Sequence, residues 1–383
     1  MAEMDASLAT LERATGVPMA ALLGFVQGEQ SLRIDEVDAL VDYFELELAP
    51  RDSLAPIGTT EEEAIAQIQA MGGAVQIDDD VPGKPLLLVD FGCYYGGSVK
   101  VTDAALEHLK DIPRLRHLNL SATEVTDAGI VYLRELTELR SLGLALTKIT
   151  DAALEHLQGL TSLRSLNLSN TAVSDAGVER LGGLKRLLTL DISCTSVNGA
   201  GLKHLRGLTE LVGLYLANAP ISDAGLKHIG GLAQLWILDI SHAPISDSGL
   251  KQLRGLNKLL GLNLAGTAIT DAALPCLDGR SLHRLNLAHT KIADGGLEPL
   301  QHFTWLRWLN LDGTSVSDRG MQYLKGLNHL RDLWLSGTAV GDAGLQAIQR
   351  LPCLRELHLA NTQVTESGIK NLHHAAPAIM VFR

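Results

Sequence analysis

The sequence predicts an α/β solenoid with a parallel sheet along its inner face, short helices along its outer face and a small all-α module ahead of it. Three observations carry that prediction. A phrase recurs every 24 residues, opened by Leu115, Leu139, Leu163, Leu187, Leu211, Leu235, Leu259, Leu282, Leu306, Leu330 and Leu354, with a single spacing of 23 between Leu259 and Leu282. Within each phrase the apolar period changes from alternation in L-x-L to three-spacing in L-x-x-L-x-x-L, the signature of a strand followed by a helix. Charge changes as well: residues 1–85 carry 17 Asp or Glu against 4 Lys or Arg, while the remainder holds 27 acids and 28 bases, so the net charge of −12 belongs to the N-terminal part.

In chain order, residues 1–55 come first. They read as helix, A-T-G-V turn, second helix, Q-G-E-Q loop and a further helix. Through Gly16 in the turn, Val17, Leu22 and Phe25 as buried positions and Gly28 closing the second helix, this module resembles the helix-turn-helix of phage-repressor-like bacterial regulators. The resemblance implies base reading by the second helix. That helix instead offers Pro18, Met19, Ala20, Ala21, Leu23 and Gly24, none with a side chain that hydrogen-bonds to a base edge. Eleven acids against Arg13, Arg33 and Arg51 would also repel a duplex. Too few residues precede Ser7 for the family's first helix, and Glu12 stands where a small residue is usual. Nucleic acid is therefore not the expected partner, and the apolar face is expected to pack on the array or on a second copy.

Residues 56–85 read as a linker and an N-terminal cap. Thr60 with Glu63 predicts a capping box, Ala64, Ile65 and Ile68 form an apolar stripe, and Gly72–Gly73 stops the helix. The array runs from 86 to 383. LLLVDFG at 86–92 and VTDAALEHLKDI at 101–112 are the strand and helix halves of an atypical first unit, separated by CYYGGSV. At the far end Pro377 breaks the pattern, and Ile379 to Phe382 is expected to add a last edge strand. Irregular terminal units are what an open leucine core requires, because each end must be covered.

Inside the units, Ser or Thr followed by Asp (Thr126–Asp127, Thr150–Asp151, Ser174–Asp175, Ser222–Asp223, Ser317–Asp318) predicts an N-cap oxygen and a carboxylate at the positive helix start. The Thr after each strand, from Thr123 and Thr147 to Thr338 and Thr362, is expected to bond neighbouring turns as a ladder. Two units place Ala219–Pro220 and Ala243–Pro244 there. With these residues in view, the chain resembles leucine-rich repeat proteins. Its T-D-A-G-L wording is similar to the large bacterial leucine-rich repeat families of planctomycete-type genomes. The resemblance covers residues 86–383 and implies a horseshoe that presents a surface.

Composition bounds the chemistry. The chain is 46% hydrophobic and only 4% aromatic, as befits a leucine-rich stack. Cys93, Cys194, Cys276 and Cys353 have neither pairing nor C-x-x-C spacing, which speaks against a disulfide framework and a zinc site. The start has no basic and apolar leader pattern, and no apolar run is long enough for a bilayer, so a cytoplasmic location and no membrane contact are expected. No nucleophile elbow, P-loop, H-E-x-x-H or dinucleotide fingerprint is found, and neither an enzyme activity nor a cofactor is expected. His108, His156, His204 and His228 fall in last helical turns, where a cation suits the negative end. Cys194, His242 and His289 share one slot in alternate units, about 9.6 Å apart at normal strand spacing, too far to share a metal.

The inner face of the sheet is the better candidate. Its middle slot runs Asn119, Gly143, Asn167, Asp191, Tyr215, Asp239, Asn263, Asn286, Asn310, Trp334, His358. By periodicity Trp236, Trp308 and Trp334 point outward, Trp305 precedes its strand, and Trp308 and Trp334 occupy adjacent units beside Arg284, Arg307, Arg331, Asp332 and His358. Tryptophan beside arginine on a rigid exposed sheet is the composition of a binding hot spot. Tyr215, Trp236, Asp239, Arg284, Trp308, Asp332, Trp334 and His358 are therefore the candidate residues for binding a protein or peptide on the concave face. The alternatives are a DNA-binding regulator using the N-terminal module and a substrate adaptor for a protein-modifying complex.

Overall fold

The computed structural model describes residues 59–77, 86–92, 101–277 and 281–383. The helix-turn-helix-like module of residues 1–55 and the CYYGGSV insertion lie outside the described residues. The described chain falls into two compact units, one ending at Pro220 and the other beginning at Ile221.

The first unit opens with a helix, Thr59–Ala70, that buries Ala64, Ile65 and Ile68 and stops before Gly72, whose φ of +83° only glycine adopts without strain. Because this helix already includes Thr59, Thr60 lies within it rather than at the N-cap of the expected capping box. Strand β1 (Ala74–Ile77) pairs antiparallel with β2 (Leu86–Asp90). From there the pairing is parallel and sequential through β3 (His117–Asn119), β4 (Ser141–Gly143), β5 (Ser165–Asn167), β6 (Thr189–Asp191) and β7 (Gly213–Tyr215). The second unit repeats the arrangement with β8 (Ile237–Asp239), β9 (Gly261–Asn263), β10 (Arg284–Asn286), β11 (Trp308–Asn310), β12 (Asp332–Trp334), β13 (Glu356–His358) and β14 (Met380–Phe382). A three-residue strand has one inward side chain, and in-register pairing aligns Leu262, Leu285, Leu309, Leu333 and Leu357 in one buried row.

The outer helices stand where the three-spacing of the phrase places them. Many are 3₁₀, as at Asp103–Asp111, Gly201–Gly207 and Gly320–Gly326. The reason lies in the phrase itself. L-x-x-L-x-x-L repeats every three residues, and a 3₁₀ helix with three residues per turn aligns Leu202 and Leu205, or Met321 and Leu324, on one buried edge where an α-helix would rotate them apart.

Two features join consecutive units. The Asp of T-D-A-G reaches forward to the next unit: Asp127 accepts from the Thr150 amide and hydroxyl, both at 2.7 Å, and Asp103, Asp151, Asp223, Asp247, Asp294 and Asp342 make the same pair of bonds. The glycine of the motif admits this carboxylate, since a Cβ on Gly129 would sit 2.5 Å from Asp103 Oδ1. The recurrent Thr plays a different part from the predicted ladder. Thr123 Oγ1 donates to the Leu120 carbonyl of its own unit at 2.6 Å, and its counterparts through Thr338 do likewise. The hydroxyl closes its own turn, and the aspartates connect the turns. The N-caps are present at Thr126, Ser174 and Ser246, whereas Ser222 makes no such bond.

The second feature is a left-handed corner after each strand. Ala122, Leu146, Asn170, Cys194, Asn218, His242, His289 and Asn361 have φ between +53° and +60°, and Gly266, Gly313 and Gly337 fill the same slot in the remaining units. The shared slot of Cys194, His242 and His289 is therefore a backbone corner. The His289 imidazole lies over Gly313, where a Cβ would collide with it. Among the described residues no group of three or more His, Cys, Asp or Glu is placed to hold a metal ion. His156 lies in the last turn of its helix, as expected, with Arg134 Nε 2.9 Å from its Nδ1.

Candidate functional site

Each strand of the second unit turns its first and third side chains to the exposed face, so parallel register sorts that face into columns. One column runs Arg284, Trp308, Asp332, Glu356, Met380, and the other Asn286, Asn310, Trp334, His358, Phe382. Strands lie about 4.8 Å apart, close to the separation at which aromatic rings stack. Rings on successive strands of one column therefore stack without distorting the backbone.

They do so here. The Trp334 and His358 rings are 4.0 Å apart at 24°, and the His358 and Phe382 rings 4.5 Å apart at 9°. Trp308, in the neighbouring column, leans toward Trp334 at 6.0 Å and 54°. The Arg284 guanidinium carbon lies 5.1 Å from the Trp308 ring centre, within cation–π range. Five side chains from five strands thus form one continuous assembly. A smaller stack, Trp305 on His329 at 5.1 Å and 0°, flanks it, with Trp305 half in solvent.

The polar atoms of the assembly face inward. Trp334 Nε1 and His358 Nε2 are buried without a hydrogen-bond partner, and the Glu356 carboxylate stands 3.8 Å from His358 Nε2, beyond hydrogen-bonding distance. Nearby, burial raises the Asp312 carboxyl above its ordinary range, although the Ser336 amide donates to it at 2.6 Å. Burial, the Arg307 charge and then His329 lower His283.

Of the residues that the sequence proposes, Arg284, Trp308, Trp334 and His358 are brought together. Asp332 is beside Trp308 in register but buried, with 8% of its surface exposed. Asp239 lies on β8 of the same unit, where it accepts from the Ser241 amide and hydroxyl and from Asn263 Nδ2, and so braces the strand ends. Trp236, just before β8, is 45% exposed. Tyr215 closes β7 in the first unit and is half-buried. Sequence reasoning did not include Phe382. The signal was present, since Phe382 follows His358 by one full period, but Pro377 hides the repeat there.

Comparison with known proteins follows this geometry. A model described as a leucine-rich repeat region matches residues 127–373. Among solved structures, an internalin (inlF) from Listeria monocytogenes matches with a TM-score of 0.58 and 22% identity over 84% of this chain and 94% of its own. A leucine-rich repeat protein of Leptospira interrogans matches with a TM-score of 0.48 and 16% identity over 72% of this chain and 80% of its own. No curated protein matches the sequence. Likeness at such identity is one of fold. Among the described residues, no helix is long and apolar enough to cross a membrane. The repeat match, which spans more than half of the sequence, agrees with the strand pairing and the recurrent corners: the chain belongs to the leucine-rich repeat family.

Proposed function

We propose that this chain is a non-catalytic recognition scaffold that binds a protein or peptide on the exposed sheet face at β10–β14. The observation that carries the reading is the joined Arg284, Trp308, Trp334, His358 and Phe382 assembly in a chain only 4% aromatic. Tryptophan and arginine supply a disproportionate share of binding energy at interfaces, and a preformed stack loses little conformational entropy on binding. Family membership supports the reading, because this fold is chiefly a means of presenting a surface. The acidic N-terminal module serves as an accessory for assembly or for a basic partner.

The test is affinity capture from a lysate of the native organism, comparing the intact chain with a Trp308→Ala/Trp334→Ala variant. Loss of a hot-spot pair costs about 2–4 kcal/mol, so the variant should release the partner while its circular dichroism stays that of the folded chain. Equal capture by both proteins would remove the proposal.

A further inference from the structure

The sheet ends at β14, and among the described residues no strand lies along its outer edge. The Met380 amide donates to the Arg355 carbonyl at 2.7 Å, and the Phe382 carbonyl accepts from the Leu359 amide at 2.8 Å, so the peptide groups of both residues face β13. Successive residues of a strand turn their peptide groups to opposite sides. The N–H and C=O of Val381 therefore point to the open edge.

Sheet edges are kept apart by charge, proline, a bulge or shortness. β14 is short, but its Met-Val-Phe sequence carries neither charge nor proline, and its pairing with β13 runs in unbroken register. The Arg383 that follows is folded back, donating to Glu366 Oε1 at 2.6 Å and to the Val364 carbonyl at 3.0 Å. Residues 375–382 read AAPAIMVF, without one polar side chain, and only Ile379 among them is buried. Met380 is 53% exposed and Phe382 44%. Apolar surface gathered in this way at one end of a stack marks a contact.

We propose that a second copy of this chain pairs with β14, strand against antiparallel strand about a two-fold axis at Val381, so that one sheet runs through both molecules. The inference goes beyond the recognition reading and does not depend on it. The register is self-complementary: Val381 of each copy exchanges both backbone bonds with its counterpart, and Met380 comes opposite Phe382 of the second copy. A thioether beside an aromatic ring is a favourable contact, and here it prolongs the His358–Phe382 stack across the axis. On the inner side Val381, in register with Leu333 and Leu357, carries the apolar row into the second molecule. Charge agrees with this arrangement. The last helix, Glu366–Ala375, has Glu366 in its first turn and His373 and His374 in its last, and the two-fold lays the two helices antiparallel, so that unlike ends meet.

Sedimentation equilibrium of the intact chain tests this. The mass should move from monomer toward dimer as concentration rises. Val381→Pro removes only the outward N–H and sets a ring on the open edge, so it should remain monomeric while its circular dichroism stays that of the folded chain. Val381→Cys tests the same contact by a gain. Hydrogen-bonded partners on antiparallel strands have Cα atoms about 5.5 Å apart, within disulfide range, so this variant should form a reducible covalent dimer under oxidising conditions. Met380→Cys, which faces residue 382 of the second copy rather than its own counterpart, should form no more than the intact chain does. The proposal is overturned if the intact chain stays monomeric as its concentration is raised, if Val381→Pro dimerises as readily as the intact chain, or if Met380→Cys cross-links as readily as Val381→Cys. A dimer that survives Val381→Pro would place the contact elsewhere, as in the N-terminal module. Mass is read here and partner capture is not, so the recognition reading stands or falls separately.

Discussion

A leucine at φ +57° is an uncommon choice, and Leu146 shows what governs the corner after each strand. The backbone there must turn left-handed so that the Leu146 amide donates to the Ser169 carbonyl at 2.9 Å, whatever side chain it carries. An L-residue with a Cβ incurs about 1–2 kcal/mol in that region, and Leu146 is 55% exposed, so its side chain recovers little. Leu146→Gly should therefore raise stability by about 1 kcal/mol after the greater unfolded-state entropy of glycine, read as a higher denaturant midpoint at unchanged slope. This corner was not legible in the sequence. Asn170, Asn218 and Gly266 suggest a left-handed slot, but Leu146, Cys194 and His242 occupy it equally, because pairing with the next unit overrides local preference. The aromatic residues were easier to read: period alone placed Trp308 and Trp334 on one face, though their stacking with His358 and Phe382 depends on a ring spacing that only coordinates supply.

At the scale of the element, the T-D-A-G phrase holds two meanings, of which one is local. Ser or Thr before Asp reads as an N-cap, and at Thr126 it is one, with the Ala128 amide 3.3 Å from its hydroxyl. The carboxylate's partner lies 23 residues further on, and nothing in a single phrase announces a bond of that length. The outer helices were legible in position, and the 3₁₀ character of many follows from the three-residue period of the same phrase. The clamp makes a sharp prediction. Asp127→Ala leaves the Thr150 amide and hydroxyl without their acceptor in a part-buried seam, at a cost of about 1–3 kcal/mol. Hydrogen exchange should accelerate most around 148–154, because stability in a repeat stack is a sum of neighbour contacts; a uniform acceleration along the array would contradict that.

For the whole molecule, two of these clamps respond in the same direction when pH falls. Burial would raise the Asp223 carboxyl, but the hydroxyls of Ser246 and Ser248 and the amides of Ser246 and Gly249 outweigh it and hold it low. The Thr365 amide and hydroxyl hold Asp342 low as well. A carboxyl whose folded pKa lies below its unfolded value stabilises the fold above about pH 3.9 and loses that contribution as pH drops through the folded value. Asp312, shifted upward, acts in the opposite direction, contributing at low pH and losing that contribution as pH rises. Among the described residues two carboxyls are held low against one raised, so stability should fall on acidification below about pH 4. Asp223→Asn should flatten that fall, as measured by thermal midpoints across the acid range.

Each clamp also looks only one unit ahead. A segment of one period taken where the aspartate and the Ser or Thr that meets it both recur, as from Asp127 to Thr150 and from Asp151 to Ser174, carries its own clamp and corner and meets the same seam on both sides. Unequal recombination between such repeats in the gene would change the length of the product by whole units without breaking a joint, so that lineages can lengthen or shorten the exposed sheet face while the terminal pieces stay as they are.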